Sequence, residues 1–155
     1  MKTIEVSGRL QAKVDDDLYD ELQNYIWHES GKGYVATSIW LGNQCMPRQK
    51  EVYMHRLIAE ADHQQDVDHI NGDRMDNRRS NLRIASRSQN LANQSVRARN
   101  SVGVKGVGKS GSKYYAQITI HKEHHYLGVF DTIEDASRAY SLKALSAWGE
   151  FARTQ

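Results

Sequence analysis

The sequence predicts an α+β protein in which short strands and helices alternate along all 155 residues. Segments of four to nine residues rich in apolar, β-branched and aromatic side chains recur between polar turns, as in small antiparallel sheets. Two of these segments are followed by apolar residues at the spacing of an amphipathic helix. No apolar run approaches the ~20 residues that span a bilayer. A single cysteine, Cys45, excludes an internal disulfide framework.

The first 54 residues combine a strand, a helix and a second strand. Ile4 and Val6 alternate with polar residues and predict a strand. An acidic cap at 15–17 then predicts an amphipathic helix, and residues 34–41 predict another strand. The apolar face of the helix has spacing i, i+4, i+7 and i+8: Leu18, Leu22, Tyr25 and Ile26. We expect residues 1–54 to be a structural support.

The segment 55–98 has a different pattern. It begins with a strand that turns into a helix, continuous with residues 51–61. A short strand at 67–70 precedes a polar loop of Asn, Gly, Asp and Arg, after which residues 82–85 resume a strand. Ser86 is a good cap for a helix over 87–98.

The segment 99–155 predicts three strands and one long helix. The strands lie at 101–107, 113–121 and 124–130 and are separated by short polar turns. The helix begins at a capping box of Thr132 and Asp135. Because its apolar stripe is narrow, we expect it to cover one sheet face and to leave the other free.

Positive charge is concentrated in one part of the chain. The net charge is only +2, but residues 66–113 hold ten basic and four acidic side chains. Such a window suits a polyanionic partner, although a solvated basic face would have the same composition.

Four residues of this window combine into a possible hydrolytic site. Asp68 provides a hard oxygen ligand beside His69, whose imidazole can act as a base near neutral pH. Asn90 provides a second oxygen ligand without charge, and Asn81 is placed to hold the His69 ring through loop hydrogen bonds. A water-rich site of this kind prefers Mg²⁺ and supports metal-assisted phosphodiester hydrolysis.

The same residues resemble the HNH nuclease motif, in the H-N-N form of phage and intron-encoded homing endonucleases, over about residues 53–94. The resemblance implies a ββα-metal (His-Me finger) core in which His69 is the general base and Asn81 positions the loop. It also implies that Asp68 and Asn90 bind Mg²⁺ or Mn²⁺. His55, in the preceding HRL sequence, is a further candidate for either a phosphate contact or a packing role.

Residues 102–153 resemble the Apetala and ethylene-response-factor type of DNA-binding domain. That family places a three-stranded antiparallel sheet in the major groove and packs one helix on its back. Some residues of the sheet would therefore contact phosphates, and others would face the DNA in the groove. Lys109 and Lys113 would contact phosphates. The residues expected to face DNA are Lys105, Gln117, Thr119, His124 and Tyr126.

These observations predict a metal-dependent DNA endonuclease, of the homing type, with a C-terminal reader domain. Its partner would be double-stranded DNA, with no membrane association, and its location the cytoplasm of a bacterial host if it is phage-encoded. One motif per chain predicts a nick from a monomer, and a double-strand break only from a homodimer or from two sequential events. The alternative is an inactive DNA-binding regulator. The arginines expected to anchor DNA at the nuclease are Arg78, Arg79, Arg83 and Arg87.

Overall fold

The computed structural model describes most of the chain: residues 1–43, 48–94, 96 and 100–154. The chain forms two compact units, Met1–Ala85 and Ser86–Gln155. Cys45 and part of the predicted linker lie outside the described residues. Among the helices that are described, none is long and apolar enough to cross a bilayer.

The sequence-based division into 1–54, 55–98 and 99–155 stays a prediction. A compact unit is defined by where the chain packs on itself, and this differs from a segment that folds or functions independently.

The first unit is built from three small antiparallel sheets. β1 and β2 pair with each other, β4 lies between β3 and β5, and β6 pairs with β7. Two short helices, α1 and α2, lie before β3 and after β5. The bounds are β1 Lys2–Val6, β2 Leu10–Val14, α1 Tyr19–Leu22, β3 His28–Glu29, β4 Val35–Trp40, β5 Gln49–Tyr53, α2 Met54–Ile58, β6 Asp66–His69 and β7 Leu82–Ala85.

The predicted strand at β1 and the transition from β5 into α2 are confirmed, but α1 is much shorter than predicted. Side chains compete for the carbonyl groups that a further helical turn would use. Asn24 Nδ2 donates to the Asp20 and Glu21 carbonyl oxygens at 2.8 and 3.1 Å, and Trp27 Nε1 donates to that of Leu22 at 2.7 Å. Ile26 is consequently 88% exposed instead of buried.

The core of the first unit lies between the β1–β2 hairpin and the neighbouring helices. Its buried residues come from five elements and from the segment after α1: Ile4, Val6, Ala12, Val14, Leu22, Trp27, Val35 and Met54. The residues 1–54 therefore provide most of the apolar packing of the unit that contains β6 and β7.

The second unit is a three-stranded antiparallel sheet with helices at its ends in sequence. The strand order is β10-β9-β8. The bounds are α3 Arg87–Asn93, β8 Val107–Ser110, β9 Lys113–Ile120, β10 Glu123–Phe130 and α4 Ile133–Trp148.

Both predicted helix caps of this unit are confirmed. Ser86 Oγ accepts from the Gln89 backbone N–H at 3.3 Å, and Gln89 Oε1 accepts from that of Ser86 at 2.8 Å, which completes a capping box. Thr132 Oγ1 accepts from the Asp135 N–H at 3.1 Å. α3 ends earlier than predicted because the backbone at Gln94 is extended.

The first strand of this sheet starts at Val107 rather than at residue 101. The side chain of Asn100 holds the preceding segment in a turn, since its Oδ1 accepts from Val102 N–H at 2.9 Å and its Nδ2 donates to the Val104 carbonyl at 2.6 Å. An asparagine turn of this kind removes the backbone groups that a strand would need.

α4 covers one face of the sheet, as predicted. Its buried residues pack against strand residues in two hydrophobic clusters, one that contains Ala136 and one that contains Tyr140 and Ala144. Ala116 and Ile118 of β9 are buried on the same side. The opposite face of the sheet is left open within this unit.

Candidate active site

The candidate site is built on the loop that connects β6 to β7. Asp68 and His69 are the last two residues of β6, and each is 5% exposed. Loop residues 70–81 follow, and Asn81 ends a short 3-10 turn immediately before β7. The hairpin therefore brings the imidazole and the amide of the motif to the same end of the sheet.

A buried amide fixes the imidazole of His69. Asn77 is fully buried, and its Oδ1 lies 3.3 Å from His69 Nε2. Asn77 Nδ2 donates to the Arg74 carbonyl at 3.1 Å, which assigns Oδ1 to the histidine. Because Oδ1 only accepts, Nε2 carries the proton, and in this tautomer the lone pair of the ring lies on Nδ1.

The environment keeps this imidazole neutral. Burial lowers the pKa of His69, and this effect outweighs the Asn77 hydrogen bond and the charges of Asp68 and Asp73, which raise it. A neutral imidazole at pH 7 can take a proton from water.

Asn81 holds the loop rather than the ring. Its Nδ2 donates to Asn71 Oδ1 at 3.0 Å and to the Asp76 carbonyl at 2.7 Å, and its Oδ1 accepts from the Asn71 N–H at 3.0 Å. The predicted bonds to the loop are therefore present, and the described bond to the His69 ring comes from Asn77 instead.

Asp76 is a second fixed point of the loop. Its carboxylate is 1% exposed and accepts from Arg78 Nε at 2.7 Å and Nη2 at 2.6 Å. Asn71 Nδ2 donates to it at 3.2 Å. The Arg78 guanidinium holds the pKa of Asp76 below its usual value, so this carboxylate is charged at pH 7.

Asp68 is paired across the hairpin with Arg83. Arg83 Nε and Nη2 lie 2.9 and 2.8 Å from Asp68 Oδ2. These two bonds to one oxygen orient the carboxylate that the sequence assigns to a metal.

Aromatic rings surround the buried imidazole. The His69 ring lies 5.2 Å from His55 and 6.0 Å from Tyr34, between ring centroids. His55 is 6% exposed, and burial lowers its pKa to about 3. A buried neutral ring is poorly suited to a phosphate contact, so the geometry favours the packing alternative for His55.

The predicted DNA-contacting arginines of this unit are all paired with carboxylates. Arg78 pairs with Asp76 and Arg83 with Asp68. Arg79 Nη1 lies 2.7 Å from Asp17 Oδ2. Arg87 and Asn90 belong to α3 in the second unit, so the predicted metal pair of Asp68 and Asn90 is divided between the two units, and the ββα-metal arrangement stays a prediction.

The donor types nevertheless suit a hard cation. Within the described ranges, no three His, Cys, Asp or Glu side chains cluster as a metal centre. A carboxylate from Asp68 and an amide oxygen from Asn90 are ligands that Mg²⁺ accepts when water and phosphate complete its coordination. By ligand type the predicted pair suits a weakly held divalent ion rather than a zinc-type centre, and the metal site itself stays a prediction.

The open face of the second unit carries most of the predicted reading residues. Gln117 lies opposite Tyr126 and Thr119 opposite His124 on adjacent strands, so all four point to one face. Tyr126 is 61% exposed. A groove of about 1220 Å³ in this unit is lined by several predicted DNA contacts. They are Arg87, Lys105, Lys109, Gln117, Thr119 and His124.

Lys105 lines this groove and also bonds to the backbone at the end of α3, and that it faces DNA stays a prediction. Its Nζ donates to the carbonyl oxygens of Ala92 and Gln94, the latter at 2.6 Å. Burial lowers its pKa to about 8. The ammonium therefore ties the 105 region to the end of α3. Lys109 and Lys113 are exposed, and Lys113 pairs with Asp131 at 2.8 Å.

Sequence reasoning did not single out Asn77, Asp76 or Tyr34. The loop contains several Asn and Asp residues of similar surroundings in the sequence, and no local spacing distinguishes the two that become buried. Tyr34 belongs to a strand that pattern analysis assigns to a support, and its approach to His69 is long-range.

Comparisons with known proteins point to one family. A family model described as HNH endonuclease matches residues 52–92. A protein of Acanthamoeba polyphaga mimivirus, named as an uncharacterized HNH endonuclease, is 32% identical over 143 residues. The alignment covers 91% of this chain and 72% of that viral protein. The similarity thus extends beyond the matched segment into both units.

Proposed function

Because the chain belongs to the HNH endonuclease family, we propose that it is a metal-dependent DNA endonuclease that hydrolyses phosphodiester bonds. The observation that carries this proposal is the state of His69, a buried neutral imidazole whose Nε2–H is held by Asn77. It lies within the segment that the family model matches.

In the proposed reaction His69 Nδ1 takes a proton from a water molecule. The water oxygen forms a bond to phosphorus, and the bond from phosphorus to the 3′ oxygen breaks. The 3′ oxygen takes a proton from solvent water and His69 returns its proton to solvent, which leaves a 5′ phosphate and a 3′ hydroxyl. Asn81 and Asp76 keep the loop in one conformation, so the base does not have to reorient for each turnover.

Asp68 and Asn90 would hold the divalent ion, Mg²⁺ or Mn²⁺. When bound, such an ion stabilises the negative charge that develops on the phosphate and the leaving oxygen. The two bonds from Arg83 to Asp68 Oδ2 orient the carboxylate for this role.

For the second unit we propose recognition of double-stranded DNA, with Gln117, Thr119, His124 and Tyr126 facing base edges. A strand pair fits the width of the major groove. Supporting this role, the described residues that line the 1220 Å³ groove include no aspartate or glutamate. We place Lys109, Lys113 and Arg87 against phosphates. Action as a homing endonuclease of a phage, in the host cytoplasm, is part of the same proposal.

The test is cleavage of supercoiled plasmid by the full chain with Mg²⁺, with Mn²⁺ and with a chelator. We expect nicked circles that depend on the metal, and linear product only from two chains acting together or from two sequential nicks, because each chain holds one motif. DNA binding without cleavage under all three conditions would instead favour the inactive regulator.

A further inference from the structure

We propose that Arg74 is a further catalytic residue, whose guanidinium binds a non-bridging oxygen of the phosphate that is cleaved. This inference rests on the proposed nuclease function, because it assigns a role within the same site. Arg74 lies in the loop between β6 and β7, five residues after His69.

A turn before β4 forms a receptacle for this guanidinium. Arg74 Nη1 donates to the Lys32 carbonyl oxygen at 2.6 Å, and its Cζ lies 4.4 Å from the centroid of the Tyr34 ring. The carbonyl fixes one corner of the group, and the ring supports its flat face through a cation–π contact.

The backbone of the turn leaves room for the guanidinium. A Cβ added to Gly33 would lie 3.1 Å from Arg74 Nη1, and the φ angle of Gly33 is +75°. The turn is closed by two bonds between its ends, from Ser30 N–H to the Tyr34 carbonyl at 2.8 Å and from Tyr34 N–H to Ser30 Oγ at 3.2 Å. Glycine is thus required both for the turn and for the approach of Arg74.

The restrained cation and the general base share their supports. Asn77 accepts from His69 through Oδ1 and donates to the Arg74 carbonyl through Nδ2. Tyr34 contacts the guanidinium of Arg74 and lies nearly parallel to the His69 ring, at 29°. Asn77 thus joins the His69 ring to the backbone of Arg74, and Tyr34 contacts both the His69 ring and the Arg74 guanidinium.

Arg74 differs from its neighbours in its partners. Arg78, Arg79 and Arg83 each pair with a carboxylate. Within the described part of the chain, the ion pairs include none between Arg74 and a carboxylate. One of its five N–H donors is used by Lys32, and the side chain is exposed.

This arrangement suits a phosphate in the act of reaction. As water attacks, negative charge accumulates on the non-bridging oxygens, and a planar guanidinium can donate two parallel bonds to them. Because Arg74 is already held in place, little entropy is lost when the phosphate arrives.

The experiment compares Arg74→Met, Arg74→Lys and Gly33→Ala in the full chain with Arg9→Met, which removes an equal charge from the turn between β1 and β2. Single-turnover cleavage of a duplex at saturating protein with Mg²⁺ gives the rate of the chemical step, and binding in chelator gives Kd. We expect Arg74→Met to lower the saturated rate by about 10²- to 10³-fold. Arg74→Lys and Gly33→Ala should each lower it by at least about 10-fold, since a lysine lacks the planar fork and an added methyl group displaces Nη1.

Kd should rise by no more than about threefold in Arg74→Met, as in Arg9→Met, because one phosphate contact among many contributes little to binding. A saturated rate equal to that of the parent would overturn the proposal, and so would a change confined to Kd. Circular dichroism establishes that each variant is folded, and Arg74→Lys provides the comparison if Arg74→Met is not.

The same data separate this inference from the proposed function. A parent that does not cleave would overturn both. A parent that cleaves and loses activity in His69→Ala, but not in Arg74→Met, would overturn the role of Arg74 alone.

Discussion

At the end of β6 the Nε2–H of His69 is held by the neutral amide of Asn77. An amide fixes the tautomer without adding negative charge, so burial remains the largest influence on the pKa of His69 and lowers it. The ring is neutral over a wider range of pH than a solvent-exposed histidine. This is useful for a base that must be unprotonated before each turnover.

A first prediction concerns the pH dependence of cleavage. A base acts only when unprotonated, so the rate falls as the pH drops through its pKa. Since the pKa of His69 lies below the ordinary 6.5, we expect half of the maximal single-turnover rate at a pH below 6.5. An acid limb centred above 6.5 would contradict a buried neutral base.

A second prediction concerns Asn77→Asp. A carboxylate beside His69 Nε2–H stabilises the imidazolium and raises the pKa of His69. The acid limb of the rate profile should therefore move to higher pH, by about one unit or more, whereas Asn77→Ala should lower the rate without that movement. If the limb stays in place in Asn77→Asp, the contact between these two side chains does not control the base.

At this scale the sequence predicted the residues that are defined by spacing. His69 and Asn81 follow from the motif, and the loop bonds of Asn81 follow from its place before β7. The burial of Asn77 was not predictable, because it depends on β2: the Asn77 N–H donates to the Lys13 carbonyl at 2.9 Å. Contacts across 64 residues have no local signal in a single sequence.

Among the elements, the loop between β6 and β7 is stabilised by one buried carboxylate. Asp76→Asn would remove the charge that both nitrogens of Arg78 contact. We expect the free energy of unfolding to fall by about 1–3 kcal/mol, measured by urea denaturation at pH 7.

Because the pKa of Asp76 is lowered in the folded chain, the contribution of this carboxylate to the free energy of unfolding depends on pH. Its contribution is present above the unfolded pKa and is lost as the pH falls through the folded one, so parent and Asp76→Asn should converge in acid. Asp17→Asn, which breaks the exposed pair with Arg79, is the matched control and should leave the urea midpoint unchanged. Equal effects of the two variants would show that burial of Asp76 is unimportant.

Two glycines of the second unit test how α4 packs on the sheet. Gly106 and Gly111 both have positive φ, at 71° and 61°, but only at Gly106 would a Cβ meet the Tyr140 ring, at 2.0 Å. Nothing lies within 4 Å of a Cβ at Gly111. We expect Gly111→Ala to cost about 1 kcal/mol and Gly106→Ala distinctly more, measured by thermal unfolding. Similar losses of stability in the two variants would show that the Tyr140 ring does not pack against Gly106.

Helices and strands were predictable where capping and apolar periodicity agree with the packing of the folded chain. α4 has its cap at Thr132 and its stripe of small residues toward the sheet, and both are as predicted. α1 and β8 differ because Asn24 and Asn100 bind backbone groups that a longer helix or an earlier strand would need. Side-chain competition of this kind is invisible to periodicity.

For the whole molecule, the small net charge conceals an uneven distribution of charge along the chain. The basic window of 66–113 remains the most positive part of the chain. Two of its described cations pair with acids from outside the window, Arg79 with Asp17 and Lys113 with Asp131. The count of charges therefore predicts a polyanionic partner better than it predicts which cations contact it.

The division into two units predicts that DNA reading and cleavage are separable. Gln117→Ala and Tyr126→Ala, on the open sheet face, should change the relative use of cleavage sites in a long duplex by about 10-fold, the discrimination of a good base contact. Mapping of cut positions by sequencing measures this. Leu142→Ala, a 65% exposed residue of α4, is the control. Unchanged site preference in all three would exclude the open face as the reader.

The most direct test of the nuclease assignment is the single-turnover rate of the full chain on duplex DNA with Mg²⁺, compared between the parent and His69→Ala. Loss of a general base should lower this rate by about 10²- to 10⁴-fold, while binding of DNA in chelator stays within a few-fold of the parent. Cleavage by His69→Ala at the parental rate would contradict the assignment.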